Sequence, residues 1–195
     1  LGLSLDPVQA ARDIVFGEET PLDAGRFNGR VFTYVAAFGA FTRVSYATPQ
    51  ESKRTLGRLA YLMEGVKSLG EIKPIHARIT AGGRSAEGDY ILGLVCSTKS
   101  VGGFRAKKQV REMEISLNDG LFEVVFVREI RNILELNDAA AQALRLDFTD
   151  TERFLAFQAP QVHVEFDADT AWTLDGEDGG SCTVAEIKNL HQAIR

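Results

Sequence analysis

The sequence predicts a mainly β domain carrying a few helices, an α+β chain whose strands layer as a two-sheet β-sandwich or barrel. Two dipeptides, Asn28-Gly29 and Gly82-Gly83, each lie between runs of strand-forming residues, as two-residue hairpin turns do. Beyond residue 150, short runs at 154–157, Val162/Val164/Phe166, 172–174 and 184–190 are separated by turn residues. With 195 residues, 45% of them hydrophobic and 25% charged, the composition is that of a globular domain, and a chain of this length buries about 70% of its extended surface.

The elements follow in order. Asp6-Pro7, then Val8, Ala10, Ala11, Ile14 and Val15 before Gly17, combines an N-cap, proline at the first helical position and a closing glycine, and predicts a short helix. Residues 22–25 and 30–38 flank Asn28-Gly29 as a first hairpin. Thr48-Pro49-Gln50-Glu51 is a capping box leading into Leu56, Leu59, Ala60, Leu62, Met63 and Val66 on a helical period. Ile75, Ala77 and Ile79 alternate up to Gly82-Gly83, and residues 88–96 return as a strand that turns wholly apolar after Tyr90, as a buried strand does. Asn118-Asp119-Gly120 introduces a Val- and Phe-rich strand at 121–127, and residues 133–146 predict a second long helix. No internal repeat or low-complexity segment interrupts this order, and the whole chain, 1–195, reads as a single domain.

A net charge of -5 argues against a nucleic-acid protein held by a global basic face, because that mode depends on displacing counterions from phosphates. Cys96 and Cys182 have no metal-site spacing, so a reduced cytoplasmic chain without zinc is expected. The longest apolar run, 31–41, falls short of the roughly 20 residues of a spanning helix. Residues 1–16 lack a signal-peptide pattern, and a start at Leu1 resembles a cut within a longer protein.

Three glycine clusters could cradle a phosphate: Gly82-Gly83, Gly102-Gly103 and the stretch from Asp175 to Gly180. None has the spacing of a dinucleotide or Walker loop, so each alone reads as a turn. The third differs because Asp175, Glu177 and Asp178 place three carboxylates on what reads as a mobile turn after an apolar strand, a setting for a base or a metal ligand. The residue types do not choose among the three. Asp119 reads either as an Asx-turn residue or as a hard-cation ligand assisted by a main-chain carbonyl. Lys99, Arg105, Lys107, Lys108 and Arg111 put five cations and no acid into residues 99–111, a local reversal of sign suited to a phosphate or an anionic membrane surface. His76, His163 and His191 share no ligand spacing and read as structural.

The order of these pieces resembles the C-terminal part of the diacylglycerol kinase catalytic-domain family, which is itself similar to sphingosine kinases and, more distantly, to NAD kinases. The carriers are Tyr34-Val35-Ala36-Ala37-Phe38-Gly39-Ala40-Phe41-Thr42, Tyr46-Ala47-Thr48-Pro49-Gln50 with Leu56-Gly57-Arg58-Leu59-Ala60-Tyr61, Ser100-Val101-Gly102-Gly103-Phe104, Ser116-Leu117-Asn118-Asp119-Gly120-Leu121-Phe122, and the stretch from Trp172 to Gly180. Five short motifs in family order are specific together. Two departures stand out: the Gly-Gly-Asp-Gly-Thr nucleotide loop of the family occurs nowhere in these residues, and Ser97-Thr98-Lys99 replaces an expected Asn-Ser before the glycine pair.

The resemblance implies the substrate-side domain of an ATP-dependent lipid kinase, a sandwich facing an absent N-terminal nucleotide domain across a cleft and inactive without it. It implies Glu177 as the carboxylate that accepts the lipid hydroxyl proton, Mg²⁺ on Asp119 and the Leu121 carbonyl, and a substrate- or phosphate-side loop of Lys99, Gly102, Gly103 and Arg105. Its partners would be the lipid, an anionic membrane surface and its own nucleotide domain; a homodimer is compatible with it, and nucleic acid is not. The place implied is the cytoplasm, peripherally at the membrane. The alternative is a noncatalytic β-sandwich that binds lipid or protein.

Overall fold

The computed structural model describes residues 4, 6–40, 73–97, 100–101, 104–105, 116–130, 135 and 150–194. Among these residues there is one multi-turn helix, α1 (Pro7–Phe16), and eleven strands. The helices expected at 48–66 and 133–146 lie outside the described residues, Glu135 aside.

α1 forms for the reasons legible in its sequence. The Asp6 carboxylate accepts from the Val8 and Gln9 N–H groups, both at 2.9 Å, with Pro7 at the first position. Its apolar positions face outward: Val8, Ile14, Val15 and Phe16 are 68%, 69%, 69% and 84% exposed.

β1 (Leu22–Phe27) and β2 (Arg30–Phe32) pair across Asn28-Gly29, whose φ values of 44° and 90° are those of a tight hairpin turn. The single strand expected over 30–38 is broken at Thr33-Tyr34, and β3 (Val35–Gly39) joins other strands. β4 (Ile75–Ala81) and β5 (Arg84–Cys96) form the second expected hairpin. The short β6 (Ser100–Val101) and β7 (Phe104–Arg105) pair with each other, then come β8 (Phe122–Arg128), β9 (Phe154–Ala159), β10 (Gln161–Leu174) and β11 (Glu177–Ile194). β10 fuses two runs that read as separate short strands and β11 extends the run at 184–190 back to Glu177, because bulges between Glu165 and Thr170 and between Trp172 and Thr173 bend the pair without ending it.

Nine strands make one continuous antiparallel sheet in the order β2-β1-β11-β10-β3-β5-β8-β9, with β4 beside β10 and β5. The expected pair of separate sheets is therefore one sheet. The 13-residue β5 and 14-residue β10 each pair with β4 along one half and β3 along the other, so long bent strands do the work of a second layer. The sheet curls around one aromatic core. Trp172, fully buried, lies 4.9 Å from Phe27 and 5.0 Å from Phe38 between ring centroids, and Phe32 stacks on Phe122 at 5.8 Å. From Val124 to Val127 β8 is apolar on both faces because a second cluster of Ile91, Val125, Val127 and Phe154 buries its other face.

The register fixes what meets at one end. Leu174 pairs with Ala36, Ala36 with Val95 and Val95 with Val124. The β10–β11 turn, Tyr34, Ser97 at the head of the Gly102-Gly103 segment, and Leu121 therefore share the same sheet end.

Candidate functional site

The turn at this end is Asp175-Gly176, with φ values of 55° and 89°, and Glu177 is already the first residue of β11, opposite Leu174. The expectation of a mobile turn held at one end is corrected: both ends are strands, and the turn is tied down by its own side chains. Asp175 Oδ2 accepts from the Thr33 N–H at 2.7 Å and the Thr33 hydroxyl at 3.0 Å; Oδ1 accepts from the N–H groups of Tyr34 and Val35 at 2.8 and 2.9 Å. Three successive backbone N–H groups thus form an anion-binding nest around one carboxylate. Those N–H groups are aimed away from the β1 ladder, which is why β2 stops at Phe32.

Asp178 Oδ1 accepts from the Gly180 N–H at 2.8 Å, and its carbonyl accepts from Arg30 Nη2 at 2.9 Å. The exposed Glu177 carboxylate has no hydrogen bond or ion pair among the described residues. Two of the three acids that the sequence left equivalent are therefore committed to backbone, and the third is open to solvent.

Asp119 sits in the segment from Ser116 to Leu121. Its Oδ1 accepts from the Leu121 N–H at 3.0 Å, the Asx-turn bond, and the carboxylate stays exposed. The turn is held from below by a residue that sequence reasoning missed. Asp23, 3% exposed, accepts from the Gly120 N–H at 2.7 Å, the Gln192 N–H at 2.7 Å and Asn189 Nδ2 at 3.4 Å, while its own N–H donates to the Leu117 carbonyl. His191 Nε2 adds a bond to the Asn118 carbonyl at 2.9 Å. The only signal for Asp23 was an acid inside the small, apolar Leu22-Asp23-Ala24-Gly25.

Among the described residues no group of three or more His, Cys, Asp or Glu side chains is placed to hold a metal. What the 119–121 turn offers is one carboxylate and a carbonyl two residues on. These hard oxygens suit Mg²⁺ completed by water. Lys99, Gly102 and Gly103 lie outside the described residues, and of Arg105 the backbone alone, paired with Ser100, is described.

His76 and His163 lie on the outer face. Hydrogen bonds to the carboxylates of Asp89 first and Glu87 second raise the pKa of His76; those to Glu165 and then Glu186 raise that of His163. His76 Nδ1 is 2.9 Å from Asp89, and Arg78 bridges Glu87 at 3.1 Å and Asp167 at 3.7 Å. Each histidine thus lies between two carboxylates. Burial pushes the thiol pKa of Cys96 far up, and both cysteines are free. Among the described residues no helix is long and apolar enough to cross a membrane.

No family model matches the chain. Curated relatives do. A diacylglycerol kinase of Bacillus subtilis (strain 168) is 32% identical over 189 residues, 97% of this chain and 60% of that protein. One of Staphylococcus epidermidis (strain RP62A) is 32% identical over 194 residues, 100% of this chain and 60% of that protein. One of Staphylococcus aureus (strain Newman) is 31% identical over 188 residues, 96% and 58% respectively. The chain thus spans about three fifths of the length of these relatives. Among solved structures, a diacylglycerol kinase of Bacillus anthracis str. Sterne superposes over 98% of this chain and 58% of its own with a TM-score of 0.65 at 17% identity. A second structure from that organism, provisionally assigned the same activity, reaches 0.74 at 20% over 98% and 61%. The structural likeness establishes the fold. By sequence, the chain is similar over nearly its whole length to the C-terminal portion of bacterial diacylglycerol kinases.

Proposed function

We propose that residues 1–195 form the acceptor side of an ATP-dependent lipid kinase that phosphorylates the hydroxyl of diacylglycerol or a similar lipid, with ATP held by a nucleotide domain outside this chain. The observation that carries the reading is the Glu177 carboxylate, unengaged at the sheet end where Ser97 and the Asp119 turn also lie, beside two acids already committed to backbone. In this reading Glu177 accepts the lipid hydroxyl proton as the lipid oxygen bonds to the γ-phosphorus and the bond from that phosphorus to the ADP oxygen breaks. Phosphoryl transfer asks for positioning and charge neutralisation more than for covalent help. Lys99, Arg105 and the Gly102-Gly103 segment would face the phosphate side. Mg²⁺ bound with ATP would supply charge neutralisation; Asp119 and the Leu121 carbonyl would hold a second ion that steadies the turn.

The cations of residues 99–111 support peripheral docking on anionic lipid, at about 1 kcal/mol per cation near the surface and weakening with salt. The test is transfer of labelled phosphate from ATP by the complete protein to a panel of lipid alcohols. Labelled phosphatidate, with no transfer and no tight ATP binding by the 195-residue chain alone, is expected. Failure to label any lipid alcohol, or tight ATP binding by the isolated chain, contradicts the proposal.

A further inference from the structure

We infer that Asp175 is a positioning residue: its carboxylate, seated in the N–H nest of residues 33–35, fixes the place of Glu177 relative to that segment and to Ser97. The inference rests on the reading of Glu177 as the base.

A two-residue turn with φ values of 55° and 89° closes a hairpin through its own backbone, so the turn does not need the Asp175 side chain. That side chain instead leaves the hairpin and takes four hydrogen bonds of 2.7–3.0 Å from a segment about 140 residues away in sequence. The Asp175 N–H donates back to the Val35 carbonyl at 2.8 Å, so the turn is held to the 33–35 segment by donors and acceptors on both sides. On the far side of Glu177, Arg30 Nη2 grips the Asp178 carbonyl at 2.9 Å. Glu177 is bracketed by these two attachments, both reaching back to residues 30–35, while its own carboxylate stays unengaged.

The same segment also holds Ser97. The Tyr34 N–H donates to Asp175, and the Tyr34 carbonyl accepts from the Ser97 N–H at 3.2 Å. One peptide stretch therefore ties the hairpin of the base to Ser97 at the end of β5. General-base transfer requires the carboxylate oxygen within about 2.6–3.2 Å of the hydroxyl, and a displacement near 1 Å costs on the order of 10²-fold in rate. Asparagine at position 175 keeps the shape but turns an amide N–H₂ toward N–H donors, which opens one side of the nest.

The test is a double-mutant cycle on the complete protein with ATP and diacylglycerol, using D175N, E177Q and the pair. D175N is expected to lower kcat by about 10- to 100-fold with KM for ATP within about twofold. Added to E177Q, it should lower the residual rate by less than about twofold, because a misplaced base costs nothing once the base is gone. T33V, which removes the single hydroxyl bond to Asp175, should show a smaller loss with the same non-additivity, and it serves if D175N folds poorly. Three results overturn the inference. Near wild-type kcat in D175N, with E177Q inactive, removes the positioning role and leaves the base. Losses that multiply in the double variant reduce Asp175 to a scaffold. Near wild-type kcat in E177Q removes the base and the positioning role together.

Discussion

Asp23→Asn tests whether a buried carboxylate holds the Asp119 turn to β1 and β11. Asp23 is 3% exposed and takes the N–H groups of Gly120 and Gln192 at 2.7 Å, one on each oxygen. Asparagine is isosteric but has one acceptor oxygen, so its amide N–H₂ must face one of these donors. Losing a hydrogen bond to a charged acceptor costs about 1.5–3 kcal/mol, and stranding a buried N–H adds about 1–3. The two overlap, giving a destabilisation of about 3 kcal/mol, large against the 5–15 kcal/mol of a typical domain and small enough to leave the protein folded. Urea unfolding of the complete protein should show a lower midpoint with unchanged slope, and the Gly120 and Gln192 amides should exchange faster than those of β8. A loss below about 0.5 kcal/mol, with Gly120 protection unchanged, would refute the reasoning.

Asp119→Asn should lower activity through metal affinity, so raised Mg²⁺ should partly restore it; a loss that Mg²⁺ does not touch removes the ion from this turn. Gly93→Ala should cost about 1–3 kcal/mol in urea unfolding, since an added Cβ would lie 2.1 Å from the Phe38 ring packed across the strand pair, and a neutral effect would mean that the ring moves freely. His76 and His163 have pKa values raised above their ordinary 6.5, so their contribution is complete below that pH and is lost as pH rises through the raised values. The pKa of Glu87 is lowered below its ordinary 4.5, chiefly by His76, so its contribution is present above that pH and lost as pH falls through the lowered value. The unfolding midpoint should therefore fall toward alkaline pH by a modest amount, as exposed pairs are screened, and replacing both histidines with glutamine should flatten that slope; an unchanged slope in the double variant would be contrary. Cys96 should resist thiol labelling until the protein unfolds, because burial disfavours its thiolate; rapid labelling of native protein would contradict its placement.

The local grammar was legible where it is local. Asp6-Pro7, Asn28-Gly29 and Gly82-Gly83 each carry their own turn or cap chemistry within a few residues, and each appears where the sequence placed it. What failed to read was set by contacts across the chain. The break between Phe32 and Val35 follows from an aspartate some 140 residues downstream that takes the backbone donors a strand would use. The fusion of the runs at 162–166 and 172–174 into β10, and the reach of β11 beyond 184–190, follow from bulges that keep the ladder going. At the candidate site, Asp175, Glu177 and Asp178 are chemically alike within four positions, and only their partners distinguish them. Asp23 went unread because a lone acid in a strand looks exposed until its burial is known.

The most direct measurement is kcat with ATP and diacylglycerol for Glu177→Gln beside Asp178→Asn in the complete protein, with ATP affinity and unfolding midpoint recorded for both. The account predicts that Glu177→Gln loses about 10²- to 10⁴-fold in kcat with fold and ATP affinity nearly unchanged, because the amide keeps the carboxylate's shape and cannot take the proton. Asp178→Asn, whose carboxylate serves Gly180, should cost far less. Near wild-type turnover in Glu177→Gln, or Asp178→Asn as the inactive variant, would contradict it.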